Sequence, residues 1–301
     1  MNKLLKKTIS NIFRHLGLGI TQYQTLQRLR QISIAMWSPV NDIHTLQTLS
    51  GGLVMNSDHY DRVETLRRVS LAMWSPTHDL QVIQRLNNKT TAHTLLTHFK
   101  DSTAQLRQDL FVLSHLGFKQ SGYFVEIGAT NGYDISNTYL METNFGWHGI
   151  LAEPAPIWHR ELNRNRKCHI EKDCVWKESN ATVEFNQSTI AELSTISSFT
   201  DTDCHKEARK TAIKYSINTI SLNDLLAKYS APNYIDYLSI DTEGSEYEIL
   251  SNFDFSKYNF GVITCDHNYS HTRDNVYALL TKNGYRRVFE DISLFDDWYI
   301  K

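Results

Sequence analysis

Long hydrophobic runs are missing from this 301-residue sequence, and cysteine and proline are scarce. Without a stretch of about eighteen consecutive apolar residues, we expect no membrane-spanning helix. The four cysteines show neither the CxxC spacing of a zinc or redox site nor the pattern of a disulfide framework. The first twenty residues lack the apolar core of a secretory signal. These absences together predict a protein of the reducing cytoplasm.

A strong charge of either sign is also absent, because the net charge is −2. Proteins that bind nucleic acid normally carry a basic stripe or a high isoelectric point, so we expect no nucleic-acid partner. Hydrophobic residues at 41% and charged residues at 21% are ordinary for a folded globular chain.

Residues 1–20 carry apolar side chains at helical spacing, with lysine and arginine between them. This pattern fits a helix that lies on an anionic membrane surface, which would place the protein at the inner face of the membrane. It also fits a helix that is docked on its own protein, which is the commoner case.

A duplicated segment occupies the N-terminal third of the chain. The sequence LRQISIAMWSP at 29–39 recurs as LRRVSLAMWSP at 66–76, and a weaker similarity extends the copies to 29–50 and 66–87. Each copy predicts a helix that ends near Ser-Pro, followed by a second helix. We therefore predict a helical N-terminal appendage over 1–115, in which the repeats form either a small core or a docking surface.

From about residue 120, predicted strands alternate with predicted helices. The strands are apolar, β-rich segments at 123–127, 149–152, 168–171, 234–240 and 261–265. The helices lie between them, at 136–143, 157–165, 222–229 and 273–282. This alternation predicts an α/β fold with a Rossmann-like, doubly wound sheet over 116–301. Residues 186–216 show no clear strand and predict either a lid or a surface insertion.

A loop of small residues follows the first predicted strand. It contributes four candidate ligand-binding positions: Gly128, Ala129, Asn131 and Gly132. Small residues there let the backbone turn sharply and approach a ligand closely. The loop is not the dinucleotide motif GxGxxG, because Thr130 interrupts it. Glu126 within the strand is costly to bury alone, so it binds either a positively charged ligand group or the amides of the loop.

Acidic residues follow the next two predicted strands. Glu153 and Pro154 end the second strand, and Glu153 lies 25 residues beyond Gly128. A carboxylate at this point is well placed to accept both ribose hydroxyls of a nucleoside cofactor. Asp173 and Cys174 end the third strand, where they either face an adenine or lie on the surface.

The most distinctive segment is YLSIDTEGSEYE at 237–248. With Asp241, Glu243, Gly244 and Glu246 it resembles the FkbM-type methyltransferases, whose signature is a strand that ends in Asp-x-Glu-Gly-x-Glu. The resemblance covers about residues 120–300, including EIGATNG, the AEP step and the run TISLNDLL at 219–226. It does not cover the duplicated segment.

The resemblance implies a Rossmann-like fold and S-adenosylmethionine as the methyl donor. It also implies that the acceptor is a hydroxyl of a sugar, a glycan or glycolipid, or another secondary metabolite. Asp241 joins the predicted cofactor-binding residues on this basis. The chain departs from the family in reading Ala-Thr-Asn-Gly in the glycine loop, and in carrying Asp-His-Asn at 266–268 where an acidic residue alone is common.

Two hypotheses address how a hydroxyl acceptor loses its proton. His267 is a candidate general base beside Asp241, because an imidazole titrates near neutral pH. Alternatively, a divalent cation such as Mg²⁺ is held by Asp241, Asp266 and Asn268, as in catechol-type methyltransferases, and lowers the pKa of the hydroxyl.

Two other classes of protein share parts of this pattern. A strand, a glycine loop, a helix and a following acid occur in other nucleotide-dependent Rossmann enzymes. A non-catalytic protein that keeps the fold as a binding or scaffolding module is the second alternative, with the duplicated segment making the contacts.

Overall fold

A computed structural model describes residues 76–86, 92–188, 192, 194–199 and 213–301. The predicted amphipathic segment at 1–20 and the first copy of the duplicated segment lie outside the described residues, as does half of the second copy. The chain divides after Gln81, and nearly all described residues belong to the unit Val82–Lys301. Within the described ranges, no helix is both long enough and apolar enough to cross a bilayer.

The described residues contain eight α-helices and eleven β-strands. The helices are α1 (Pro76–Leu86), α2 (Ala92–His98), α3 (Gln108–His115), α4 (Tyr139–Phe145), α5 (Pro156–Asn165), α6 (Leu222–Lys228), α7 (Glu246–Ser251) and α8 (Arg273–Lys282). The strands are β1 (Tyr123–Ile127), β2 (His148–Ala152), β3 (His169–Glu171), β4 (Cys174–Trp176), β5 (Thr182–Gln187), β6 (Thr195–Ile196), β7 (Ile213–Ser221), β8 (Tyr234–Ile240), β9 (Asn259–Asp266), β10 (Arg286–Val288) and β11 (Asp296–Ile300).

Seven strands form the main sheet, in the order β10-β11-β9-β8-β1-β2-β3. From β9 to β3 all neighbours are parallel, whereas β11 runs antiparallel to both β9 and β10. The chain leaves β1 towards β3 and later returns to β8 on the other side of β1. In such sheets ligands bind at the carboxyl ends of the strands where the order reverses, which here is between β1 and β8. The predicted doubly wound sheet is confirmed.

Both faces of the central strands are buried. Successive strand residues point to opposite faces, yet neither Phe124 nor Val125 is exposed to solvent. The same holds for Tyr237 and Leu238 in β8. Two-sided burial explains why these strands are almost continuously apolar rather than alternating, and why they could be predicted from sequence.

A second sheet of four strands, ordered β4-β7-β5-β6, was not predicted. Its own apolar cluster contains Cys174, Trp176, Phe185 and Ile196. The third strand of the main sheet ends at Glu171, so Cys174 begins β4 in the second sheet instead of ending β3. The prediction that 186–216 lacks strands is wrong, because β6 lies within this range and β7 begins in it.

Helix α3 lies before the predicted domain start at residue 116 and packs on the main sheet. The rings of Phe111 in α3 and Trp298 in β11 are stacked with centroids 4.6 Å apart. Both side chains are fully buried. The segment that precedes β1 therefore covers the β11 end of the sheet.

One buried guanidinium, that of Arg166 directly after α5, holds the loop that follows β1. It donates to the Gly132 carbonyl oxygen at 3.2 Å, to Thr138 Oγ1 at 2.8 Å and to Glu142 Oε2 at 2.6 Å. The carboxylate of Glu126 in β1 lies 3.5 Å away. A single side chain thus joins β1, its loop and α4.

Replacing Arg166 with methionine should lower the free energy of unfolding by about 3–5 kcal/mol, because buried carboxylates lose their partner. Urea denaturation measures this change. The matched control is Arg85→Met, which removes an exposed ion pair with Asp291. It should cost about 1 kcal/mol or less. Equal losses for the two variants would contradict the role given to Arg166.

Candidate active site

The backbones after β1 and β8 meet at the point where the strand order reverses. Ile127 pairs with Ile240, and the Asp241 amide donates to the Ile127 carbonyl oxygen at 3.0 Å. Gly128 has a φ of +88°, and a Cβ atom built on it would lie 1.9 Å from the Asp241 carbonyl oxygen. Only glycine fits there, because it tolerates positive φ and needs no space for a side chain.

Glu153 lies at the carboxyl end of β2 and ties two loops together. Its Oε2 accepts from the Thr130 amide and its Oε1 from the Ala155 amide, each at 2.8 Å. Burial raises the pKa of this carboxyl to about 7. Each carboxylate oxygen can accept more than one hydrogen bond, so the predicted contact with ribose hydroxyls is compatible with these bonds and stays a prediction.

Glu126 is engaged by the protein itself. Its carboxylate accepts from Ser136 Oγ at 2.9 Å, from the Asn137 amide at 2.7 Å and from Thr138 Oγ1 at 2.5 Å. With the Arg166 guanidinium 3.5 Å away, the charge is compensated internally. These contacts favour the interpretation in which Glu126 holds the loop, and its predicted contact with a ligand stays untested.

Asn131 shapes the same loop. Its Oδ1 accepts from the amides of Tyr133 and Asp134 at 3.0 and 2.9 Å, which folds the chain sharply around Gly132. A Cβ atom on Gly132 would lie 2.6 Å from Arg166 Cγ, so this glycine makes room for the guanidinium stem. Both residues set the loop conformation.

The remaining predicted cofactor residues lie along this edge of the main sheet and next to it. Ala129 is buried beside Gly128, and Pro154 follows Glu153 and is partly exposed. Asp173 is partly exposed, whereas Cys174 is buried where the chain enters the second sheet. Their contacts with a cofactor stay predictions.

The signature segment folds back on its last acid. Glu246 Oε1 accepts from the Thr242 amide at 2.9 Å, from Thr242 Oγ1 at 2.8 Å and from the Gly244 amide at 3.1 Å. Burial raises the pKa of the Glu246 carboxyl. Glu246 therefore stabilises the loop, while Asp241 at its start remains exposed to solvent.

Asp241 is surrounded by other acids. The protein atoms packed around its carboxyl raise its pKa, and the charges of Asp296 and Glu246 raise it further. Asp266 follows the residue that pairs with Ile240, and burial followed by the charge of Asp241 raises its pKa well above the ordinary range. Asp266 is buried whereas Asp241 is open, so Asp241 is the acid that a ligand can reach.

The sequence did not indicate one further acid of this cluster, Asp296, nor its hydrogen-bond donor, Gln108. Asp296 pairs with Asp266 across β11 and β9, and burial raises its pKa to about 7. Gln108 at the start of α3 donates to Asp296 Oδ2 at 2.7 Å. The signal for Asp296 was an acidic pair inside the apolar run FDDWYI, whereas nothing local marks Gln108.

His267 is buried, with 4% of its surface exposed. Its Nδ1 accepts from the Tyr269 amide at 2.9 Å, and burial lowers its pKa to about 4. A neutral ring with Nδ1 so occupied carries its proton on Nε2, which lies 3.8 Å from Asp297 Oδ1. Neither nitrogen offers a free lone pair to an acceptor hydroxyl. These contacts weigh against His267 as the general base, a role that no measurement has tested.

The metal hypothesis gains no support. Over the described ranges, no group of three or more His, Cys, Asp and Glu side chains is arranged to hold a metal ion. Asn268 directs its amide nitrogen at Asp266 Oδ2, 2.9 Å away, so the two side chains bind each other.

The sequence matches the methyltransferase FkbM domain over residues 126–287, more than half of the chain. The chain belongs to the FkbM methyltransferase family. Methyl transfer from S-adenosylmethionine is the activity of this domain, and the predicted family is confirmed. The alternative of another nucleotide-dependent Rossmann enzyme is therefore wrong. No curated protein matches the chain at a significant level.

Solved methyltransferase structures show a distant similarity to this FkbM-family chain. Methyltransferase FkbM from Methylobacillus flagellatus KT is 11% identical over 79% of this chain, with a TM-score of 0.40. The match spans 60% of that protein's length. Precorrin-6y C5,15-methyltransferase from Geobacter metallireducens GS-15 is 11% identical over 64% of this chain and 85% of its own, with a TM-score of 0.34.

Gly128→Ala should weaken S-adenosylmethionine binding by about 100-fold or more, because the added Cβ displaces the Asp241 backbone. Calorimetry measures this affinity. Gly284→Ala is the matched control, since Gly284 has a φ of +87° but no atom within 4 Å of a built Cβ. It should cost about 1 kcal/mol of stability without changing cofactor affinity. An unchanged affinity in Gly128→Ala would show that this contact does not shape the cofactor site.

Proposed function

We propose that this protein is an S-adenosylmethionine-dependent O-methyltransferase that methylates a hydroxyl of a glycan or glycolipid, with Asp241 as the proton acceptor. The observation that carries the proposal is Asp241, a solvent-exposed residue at the carboxyl end of β8, whose backbone lies against Gly128 in the loop after β1. The protein atoms around its carboxyl and then the charges of its acidic neighbours raise its pKa, so its carboxylate is a stronger base than that of an ordinary aspartate.

The residues at this edge suit the cofactor. S-adenosylmethionine carries an ammonium group and a positively charged sulfur, and these positive charges favour the ionised form of a carboxyl whose pKa is raised, as that of Asp241 is. Gly128 brings the backbone close to the same place, and Glu153 lies at the tip of the neighbouring strand. We assign Gly128, Glu153 and Asp241 to the binding of the cofactor.

S-adenosylmethionine, when bound, supplies a methyl group. As the acceptor oxygen bonds to the methyl carbon, the electron pair of the broken C–S bond returns to sulfur. The chain must align the acceptor for this in-line displacement, and alignment accounts for much of the rate gain. The hydroxyl proton passes to the Asp241 carboxylate as the new C–O bond forms. Asp266 is buried and accepts a hydrogen bond from Asn268, so it is not placed to contact the acceptor.

A glycan acceptor is supported by the FkbM resemblance, which implies sugar and secondary-metabolite hydroxyls as substrates. The amphipathic pattern at 1–20 fits a helix that lies on a membrane surface. Such a helix would bring the enzyme close to glycans that are built at the cytoplasmic face. The duplicated segment is a further candidate for contacting a long acceptor.

Asp241→Asn should lower kcat for methyl transfer by about 10²–10⁴-fold, because the amide cannot take up the proton. The assay follows radiolabelled methyl groups from S-adenosylmethionine. Asp254→Asn is the control, since Asp254 is exposed and lies before β9, at the opposite edge of the sheet. A kcat within a few-fold of wild type in Asp241→Asn would remove the base assignment.

Glycan extracted from source cells that lack the gene should gain methyl groups when it is incubated with the enzyme and S-adenosylmethionine. Mass spectrometry should show a gain of about 14 mass units for each methylated hydroxyl, the mass of one CH₂. Cofactor binding without transfer to the glycan would contradict the proposed acceptor. Absence of micromolar cofactor binding would favour a non-catalytic scaffold.

A further inference from the structure

Tyr269 is the most exposed of the large hydrophobic side chains in the described part of the chain, with 69% of its surface accessible. It lies in the loop after β9, three residues beyond Asp266 and at the same edge of the sheet as Asp241. The predicted cofactor residues belong to β1, β2 and the segment after β3, on the other side of Asp241. Tyr269 therefore flanks the side of Asp241 that faces away from the cofactor residues.

The loop that carries Tyr269 is fixed in an unusual conformation. Asn268 and Tyr269 have φ values of +40° and +56°, a left-handed region that is costly for residues other than glycine. The Ser270 amide donates to the His267 carbonyl oxygen, and the Asn268 amide donates to the Phe295 carbonyl oxygen at 3.2 Å. Strain of this kind persists only where the surroundings impose it, and it concentrates at functional sites.

His267 is one of the groups that impose the conformation. Its Nδ1 accepts directly from the Tyr269 amide at 2.9 Å, and the two rings lie nearly perpendicular with centroids 5.3 Å apart. Asn268 adds a second anchor through its bond to Asp266 Oδ2 at 2.9 Å. The loop is thus fastened at three successive residues, yet it presents an aromatic ring to solvent.

Apart from its edge contact with the His267 ring, the exposed Tyr269 ring brings the folded chain little packing energy. An aromatic face at the mouth of a site is, however, well suited to cover the apolar C–H face of a pyranose ring. A hydroxyl of a sugar held on Tyr269 would approach from the side of Asp241 that faces away from the predicted cofactor residues. In-line transfer requires the acceptor oxygen to lie on the side of the methyl carbon away from sulfur, and this approach is compatible with that requirement.

We propose that Tyr269 is the acceptor platform, stacking on a pyranose ring of the glycan, and that His267 is a positioning residue that holds the platform. The proposal rests on the proposed function, because it names how that acceptor is bound. It gives His267 a role that its buried, occupied ring can fill.

The test uses the full-length enzyme, S-adenosylmethionine and the glycan extracted from source cells that lack the gene. Tyr269→Ala should raise the KM for glycan about tenfold or more, the loss expected when one face of an aromatic ring is no longer buried. Its kcat and its cofactor affinity should stay within about threefold of wild type. Tyr269→Phe keeps the ring and should keep the KM.

Tyr234→Ala is the matched control, because Tyr234 is 53% exposed at the start of β8, at the opposite edge of the sheet. Its KM for glycan should equal that of wild type. A Tyr269→Ala enzyme with the KM of wild type would overturn the proposal. A wild-type enzyme that binds cofactor but transfers nothing to glycan would instead refute the proposed function itself.

The positioning role of His267 has its own pair of variants. His267→Ala removes the acceptor of the Tyr269 amide and should raise the KM for glycan as Tyr269→Ala does. His267→Asn places an amide oxygen near the position of Nδ1 and should recover most of the wild-type KM. A large loss of kcat in both variants, with KM unchanged, would show that His267 acts as a base and would overturn its positioning role.

Discussion

The loop after β1, which carries predicted cofactor residues, depends on the contacts of the buried Arg166 guanidinium. Glu126 could not stay charged inside an apolar strand without a partner, and Arg166 supplies that partner. The same guanidinium binds the loop at Gly132 and the helix at Glu142. Paired with Arg166, the Glu126 carboxylate accepts hydrogen bonds from Ser136, Asn137 and Thr138. This ion pair therefore stabilises both the loop and the start of α4.

The other acids at this edge are stabilised differently, which separates their roles. Glu153 and Glu246 each accept backbone amides and so stabilise loops around the site. Asp266 and Asp296 are buried and pair across neighbouring strands. Asp266 accepts a hydrogen bond from the Asn268 side chain, and Asp296 accepts one from the Gln108 side chain. Asp241 alone in this group is exposed. Of these acids, Asp241 is thus the one that solvent and ligands can reach.

The sequence was a good guide to elements that are buried on both faces and a poor one elsewhere. Strands β1, β8 and β9 are mostly apolar runs, so their positions and the strand alternation could be predicted directly. β5 and β7 are partly exposed and contain Glu184, Asn186 and Lys214, which hid the second sheet. β4 and β10 have three residues each, too few for any periodicity.

The sequence indicated which residues belong to the candidate site, but not which groups they contact. The spacing of Gly128 and Glu153, with Asp241 from the family signature, indicated this edge of the sheet, because parallel strands end together. Spacing carries no information on which groups bind a carboxylate, so the sequence left Glu126 open between a ligand and the loop, and it did not indicate the contacts with Ser136 and Thr138. The orientation of His267 depends on a left-handed turn two residues later, which no local pattern announces.

The contact between Gly128 and the Asp241 backbone couples the loop after β1 to the loop after β8. Neither loop can shift unless the other shifts with it, so the distance between the proposed cofactor loop and the proposed base is set when the chain folds. The conformational entropy of bringing them together is therefore lost during folding and not at each turnover. A substrate that enters the site meets a geometry already in place, and its binding energy remains available for its own alignment.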